Sequence, residues 1–157
     1  MKRFEIIGTT ADAGVLARGD DLSSLFSNAA AGMFALVFGA EPKSLLPDRQ
    51  EVIELSSVDA ESLLVAFLSE LLWYFDTHLL VPTKYGLSIE KTAAEDSPEE
   101  ENRNQEPDEI MLKGEVSFVN LPGTGLSPLT DLKAVTMHNL QIKREKSGLS
   151  ARVIFDI

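Results

Sequence analysis

Cysteine is absent from the 157 residues of this chain. That excludes disulfides, zinc–thiolate sites and cysteine nucleophiles together. Histidine is nearly as scarce: the sequence holds two, His78 and His138, so a multi-histidine metal site is excluded as well. Long apolar runs are missing. The start, Met1-Lys2-Arg3-Phe4-Glu5-Ile6-Ile7, is basic and then apolar, but Glu5 and Gly8 interrupt it far short of a signal h-region. No window approaches the roughly 18 apolar residues a membrane helix needs. The expectation is a cytoplasmic protein with no membrane association. The chain also shows no Gly-rich phosphate loop and no nucleophile motif.

Positive charge is in short supply too. Fourteen Lys and Arg face 25 Asp and Glu, for a net charge of −11. Much of the imbalance is local: residues 90–109 hold nine acids against Lys91 and Arg103. Affinity for phosphate backbones rests on clustered Lys and Arg, so little or no direct nucleic-acid binding is expected. A small basic group, Lys143-Arg144 with Lys146, reads as a solvated hairpin. What remains is ordinary for one globular domain spanning 1–157: 44% hydrophobic residues and length enough for a substantial core.

Hydrophobic periodicity orders the chain. Residues 2–8 and 15–19 read as short strands separated by a small, polar, glycine-containing junction that holds Asp12. Asp21 is placed to cap a helix whose stripe is Leu22, Leu25, Phe26, Ala29, Met33, Leu36 and Val37, with Gly39 ending it. A strand over 49–57 follows. Asp59 then caps a longer helix whose apolar stripe runs from Ala60 to Phe75, with Pro82 closing it and His78 near its negative end. Strands are predicted at 85–90, 110–118, 132–142 and 151–157. Residues 91–109, charged and proline-containing with no apolar period, read as a disordered insertion at the tip of a hairpin. The order predicts an α+β domain, two helices packed on one mixed β-sheet, with weakly repeated strand–helix–strand units.

The last stretch, Ala151-Arg152-Val153-Ile154-Phe155-Asp156-Ile157, is β-branched and aromatic-rich, the signature of a buried strand. It carries Asp156 and, on Ile157, an α-carboxylate. If the first and last strands are neighbours, Asp12 faces this end. Each residue has an ordinary alternative: Asp12 as a turn former, Asp156 as the solvent-facing residue of an alternating strand. Lys133 is either a partner for the carboxylates, a phosphate contact or a plain exposed strand lysine. His138 reads as structural.

Four segments together carry a family resemblance. Thr10-Ala11-Asp12-Ala13-Gly14 resembles the His-Thr-Ala-Asp-Val-Gly motif of archeases, and Glu70-Leu71-Leu72-Trp73-Tyr74-Phe75-Asp76 resembles their helix-two motif. Lys133-Ala134-Val135-Thr136-Met137-His138 is similar to a Lys-Ala-Val-Thr-Tyr-His segment, and Arg152 to Ile157 to a Val-Ile-Phe-Asp-Ile terminus. The likeness covers nearly the full length outside the acidic insertion. Thr9 and Met137 stand where the family has histidine and tyrosine, and the insertion is longer than the usual hairpin connection.

The resemblance implies a non-catalytic partner of an RNA ligase. Archeases assist the GTP-dependent tRNA-splicing ligase that joins 3′-phosphate or 2′,3′-cyclic phosphate ends to 5′-hydroxyl ends. They promote transfer of GMP onto the ligase's active-site histidine and so sustain multiple turnover. The family's metal site maps onto Asp12, Asp156 and Ile157, with calcium the usual occupant and magnesium the alternative; Lys133 and His138 are the candidates for supporting roles. Hard divalent cations choose carboxylate oxygens, in agreement with that mapping. Two other readings use the same residues: a small metal-dependent hydrolase, and a chaperone-like binding module with an incidental ion.

Overall fold

An aspartate starts each helix. In the computed structural model, which describes residues 2–8, 12–42, 45–92 and 109–157, the Asp21 carboxylate accepts the Ser24 N–H at 2.8 Å. The Asp59 carboxylate accepts the Ser62 N–H at 2.7 Å. These bonds satisfy helix-end amides and hold both carboxyls below the usual carboxylate range. The first helix, α1, covers Leu22–Phe38 and ends at Gly39, whose φ of 81° is left-handed. The second, α2, covers Ala60–His78. It ends through Leu79 in the left-handed region, with the Leu79 N–H returning to Phe75 O at 3.0 Å. Pro82 therefore does not close α2. It lies inside a strand, at the point where the strand's register shifts. Among the described residues that strand has one unpaired edge, the setting in which proline's missing N–H is tolerated.

The strands are β1 (Phe4–Gly8), β2 (Ala13–Gly19), β3 (Arg49–Ser57), β4 (Leu80–Thr92), β5 (Glu109–Asn120), β6 (Ala134–Val135), β7 (Ile142–Glu145) and β8 (Gly148–Asp156). The fold is α+β with two helices, as expected. The strands, however, form two antiparallel sheets where a single mixed sheet was predicted. One runs β1-β2-β8-β6, with β7 also paired to β8; the other runs β3-β5-β4. The reason is α1. Its stripe predicted one apolar face, but Ala30, Ala31, Gly32 and Ala35 are buried along with Leu25, Phe26, Ala29, Met33 and Val37. A helix buried on all sides needs more cover than one sheet can give. Gly32 marks one close approach of α1 to the first sheet: a Cβ there would lie 2.5 Å from Val15 Cγ1 and 3.1 Å from the Phe4 ring.

The two strand–helix–strand passages are not equivalent. β2 and β3, which flank α1, belong to different sheets, whereas β3 and β4, which flank α2, both pair with β5. The predicted strand over 132–142 is broken into β6 and β7. Between them Asn139 adopts φ 52°, and the Leu140 N–H closes a turn on Met137 O at 3.1 Å. β4 and β5 pair from Leu80↔Asn120 to Thr92↔Glu109, which makes the expected hairpin. Lys91, Thr92 and Glu109 are strand residues; the rest of the acidic insertion, 93–108, lies outside the described residues. No described helix is long and apolar enough to cross a membrane.

Candidate functional site

The register of β2 with β8 runs from Gly19↔Leu149 to Ala13↔Phe155. Asp12 directly precedes Ala13 and Asp156 directly follows Phe155, so the two acidic residues flank the same terminal pair. Ala13, Val15 and Ala17 on β2 and Ala151, Val153 and Phe155 on β8 are buried. Strand alternation then places Asp156, Ile154 and Arg152 on the opposite face, with Asp12 at its margin. Asp12 and Asp156 are both exposed, and Ile157 is half-exposed. A cavity of about 150 Å³ opens here, lined by Ile7, Gly8, Asp12, Ala13, Gly14, Arg152 and Ile154.

β6 fastens the end of β8 from its other edge. Ala134 pairs with Asp156 and Val135 with Phe155. The Lys133 N–H donates to Asp156 O at 2.8 Å, and Thr136 donates to Ile154 O through both its N–H, at 3.0 Å, and its hydroxyl, at 2.9 Å. Asp156 is thus held by its backbone on the β6 side, one residue beyond Phe155, which is paired on both sides. Lys133 itself is exposed and lines a second cavity, of about 270 Å³, with Ser69, Leu72, Trp73, Asp76, Ala134 and Val135. His138 sits exposed in the turn after β6, its N–H donating to the Thr136 hydroxyl at 3.2 Å. Alternation of faces therefore ends before His138.

The sequence segments that carry the resemblance meet at one end of the molecule. Residues 12–14 and 152–156 form the β2–β8 ladder end, 133–135 pair beside it, and Trp73 and Asp76 of α2 close the neighbouring cavity. Sequence reasoning gave no role to Trp73, Asp76 or Asp131. Trp73 is 49% exposed and meets His78 edge-on at 5.2 Å between ring centroids. Burial pushes the Asp76 carboxyl above its ordinary range, and the neighbouring Asp131 charge adds to this. Nothing local in the sequence signals that pair, because Asp131 approaches α2 only through the tertiary fold.

A raised native pKa means that the folded state binds the Asp76 proton more tightly than the unfolded chain does. Its contribution to stability is full below the unfolded pKa and is lost as pH rises through the folded value. Asp76→Asn removes that loss. The melting temperature of the variant, relative to the native chain, is expected to be higher at about pH 7 than at about pH 3. Equal differences at the two pH values would show that Asp76 feels neither the burial nor Asp131.

The acidic side chains at the ladder end, Asp12 and Asp156, offer oxygen donors. That set suits a hard divalent cation and not a soft one. Among the described residues, no group of three or more His, Cys, Asp or Glu side chains converges on one point. Any ion at this end would therefore need main-chain, water or partner oxygens besides Asp12 and Asp156.

Comparison with known proteins extends these observations to the whole chain. The sequence profile of the Archease protein family matches residues 4–157. The chain is 32% identical to "Protein archease" of Methanothermobacter thermautotrophicus over 157 residues, covering all of both chains. It is 33% identical to the Methanosarcina acetivorans protein of the same name over 156 residues, covering 99% of this chain and 97% of that one. The solution structure of Methanobacterium thermoautotrophicum protein 1598 superposes with a TM-score of 0.75 at 31% identity, covering 100% of each chain.

Proposed function

Because the chain belongs to the archease family, we propose that it is a non-catalytic activator of a GTP-dependent RNA ligase. In this reading it supports the joining of 3′-phosphate or 2′,3′-cyclic phosphate ends to 5′-hydroxyl ends. It would do so by promoting guanylylation of the ligase and thus repeated turnover, in tRNA splicing or RNA repair. The observation that carries the reading is the full-length family match, whose characteristic segments converge on one end of the fold. An activator needs a rigid contact surface, and the doubly anchored end of β8 supplies one.

In this proposal Asp12, Asp156 and the carboxylate of Ile157 hold a divalent cation, calcium by preference. Such an ion would neutralise the clustered charge and leave coordination positions for oxygen donors of the ligase or its nucleotide. In this reading Lys133 and His138, which flank the segment that pairs with β8, would contact the ligase beside that end. The described residues show no nucleophile–base pair in the cavity, and none of this requires the chain to perform chemistry itself.

The test is RNA joining by the cognate ligase with GTP, run with ligase far below substrate. Adding this protein is expected to raise the number of turnovers per ligase and the rate of ligase guanylylation. If the ligase turns over equally well without it, the activator reading is wrong.

A further inference from the structure

The outer face of the five-stranded sheet carries a further cavity beyond the carboxylate end. Ser150, Arg152, Ile154 and Asp156 follow one another on the same face of β8. Leu16 lies across from Arg152, and Lys143 of β7 lies across from Ser150, so Lys143 and Arg152 share that face. With Asn139 and Gln141 from the turn before β7, they line a cavity of about 440 Å³ that also includes Glu145.

The state of these side chains is informative. Lys143, Arg152, Asn139 and Gln141 are exposed, and none of their side chains makes a hydrogen bond or ion pair to a described residue. The one acid in the cavity, Glu145, accepts the Ser150 hydroxyl at 2.8 Å, which leaves two cations against one carboxylate. Several other cations are paired, Arg3 to Glu41, Arg18 to Glu5, Arg49 to Glu51 and Lys113 to Glu54, while Lys84, Lys133, Arg144 and Lys146 are exposed without an ion pair to a described residue. Lys143 and Arg152 differ from those four in lining one concavity together. In a protein of net charge −11, two uncommitted cations beside two uncommitted amides form a locally positive, donor-rich concavity. Lys143-Arg144 and Lys146 do form the hairpin that the sequence suggests. Across that hairpin Lys143 pairs with Ser150, which sets it diagonal to Arg152 on the same face.

We propose that this groove binds a phosphoryl group, with Arg152 and Lys143 as the charged donors and Asn139 and Gln141 as the amide donors. A guanidinium presents paired N–H groups to phosphate oxygens, and the ammonium supplies a point charge. Arg152 also lines the cavity that holds Asp12. Asp156 lies four residues farther along β8, about 13 Å away at roughly 3.3 Å per residue. The phosphoryl site and the carboxylate end thus form two stations on one face. The phosphoryl group can come from a nucleotide triphosphate or from the phosphorylated end of an RNA strand. The choice between those sources rests on the ligase-activator reading; occupation of the groove does not.

The test uses the full chain without ligase, titrated by NMR with inorganic triphosphate, with GTP and with a short RNA ending in a 3′-phosphate. Resonances of residues 139–152 are expected to shift with at least one probe. Arg152→Gln and Lys143→Gln are each expected to weaken that binding about tenfold, and Lys146→Gln, on the same hairpin but outside the groove, to leave it unchanged. GTP and triphosphate binding without RNA binding assigns the nucleotide source; the reverse assigns the RNA end. Two results would overturn the proposal: no shift with any probe, or equal weakening by Lys146→Gln, which would mean diffuse attraction to the hairpin. Because no ligase is present, neither result bears on the activator reading, and loss of ligase activation in the earlier assay would leave the phosphoryl site standing.

Discussion

Asp156→Ala is expected to bind calcium about 100-fold more weakly than the native chain, to fail to raise ligase turnover, and to keep its fold. The size follows from the small donor set. Disturbing groups that merely orient metal ligands costs about 10–100-fold in affinity, so deleting one of two ligating side chains should cost at least the upper figure. The preserved fold follows from how Asp156 is held. Its carbonyl accepts the Lys133 N–H and its register with Ala134 is backbone pairing, neither of which uses the carboxylate. The side chain is exposed, and exposed substitutions usually change stability by no more than about 0.5 kcal/mol. Asp12→Ala is expected to behave alike, since Asp12 flanks the same terminal pair of the ladder. Calorimetric titration with calcium and then magnesium, with melting curves of each variant, checks all of this. Unchanged calcium affinity in both variants would remove the carboxylate site. Lost affinity with full ligase activation would keep the site but detach it from function.

Those expectations rest on features the sequence displayed unevenly. The helices were legible because their signals are local: Asp21 and Asp59 cap, Gly39 terminates, and the apolar stripes keep helical spacing. That Asp12 lies beside the end of β8 was legible through a resemblance that joined two distant segments, but the strand that brings it there was not: the second strand, β2, and not the first, neighbours β8. The number of sheets was not. A strand's sequence records which of its residues are buried but not which strand lies beside it, and α1's second buried side mixes Phe34 and Phe38 with alanines and Gly32, which blurs the single apolar stripe. The break between β6 and β7 was hidden for a related reason. Met137, His138 and Leu140 continue a strand-like pattern, while the turn depends on Asn139 entering a left-handed conformation that asparagine tolerates but does not announce. Asp76 with Asp131 is a tertiary meeting that no spacing rule could have found, whereas Lys143 and Arg152 meet across the local β7–β8 hairpin.

Phe155→Ala is expected to lower stability by about 3–5 kcal/mol, the usual cost of truncating a buried phenylalanine. Phe155 is fully buried, paired across β2 to Ala13 and across β6 to Val135, one residue before Asp156. For a domain of this size each kcal/mol is worth about 2–4 °C in melting temperature, so a fall on the order of 10 °C or more should be seen by calorimetry. Phe155→Leu, which keeps most of the volume, should cost less than about 1.5 kcal/mol. The two positions, adjacent in sequence, then separate the ways this end can fail. Asp156→Ala should lose ion binding at nearly constant stability, whereas Phe155→Ala should lose stability with all its carboxylates present. If the carboxylates do hold calcium, the ion binds the folded state selectively and must stabilise it by mass action. Excess calcium should therefore raise the melting temperature of Phe155→Ala, by about 2.7 kcal/mol worth of stability when calcium stands at 100 times its dissociation constant. The double variant Phe155→Ala with Asp156→Ala should show almost none of that gain. A calcium-dependent rise of equal size in the double variant would place the ion elsewhere on this acidic chain.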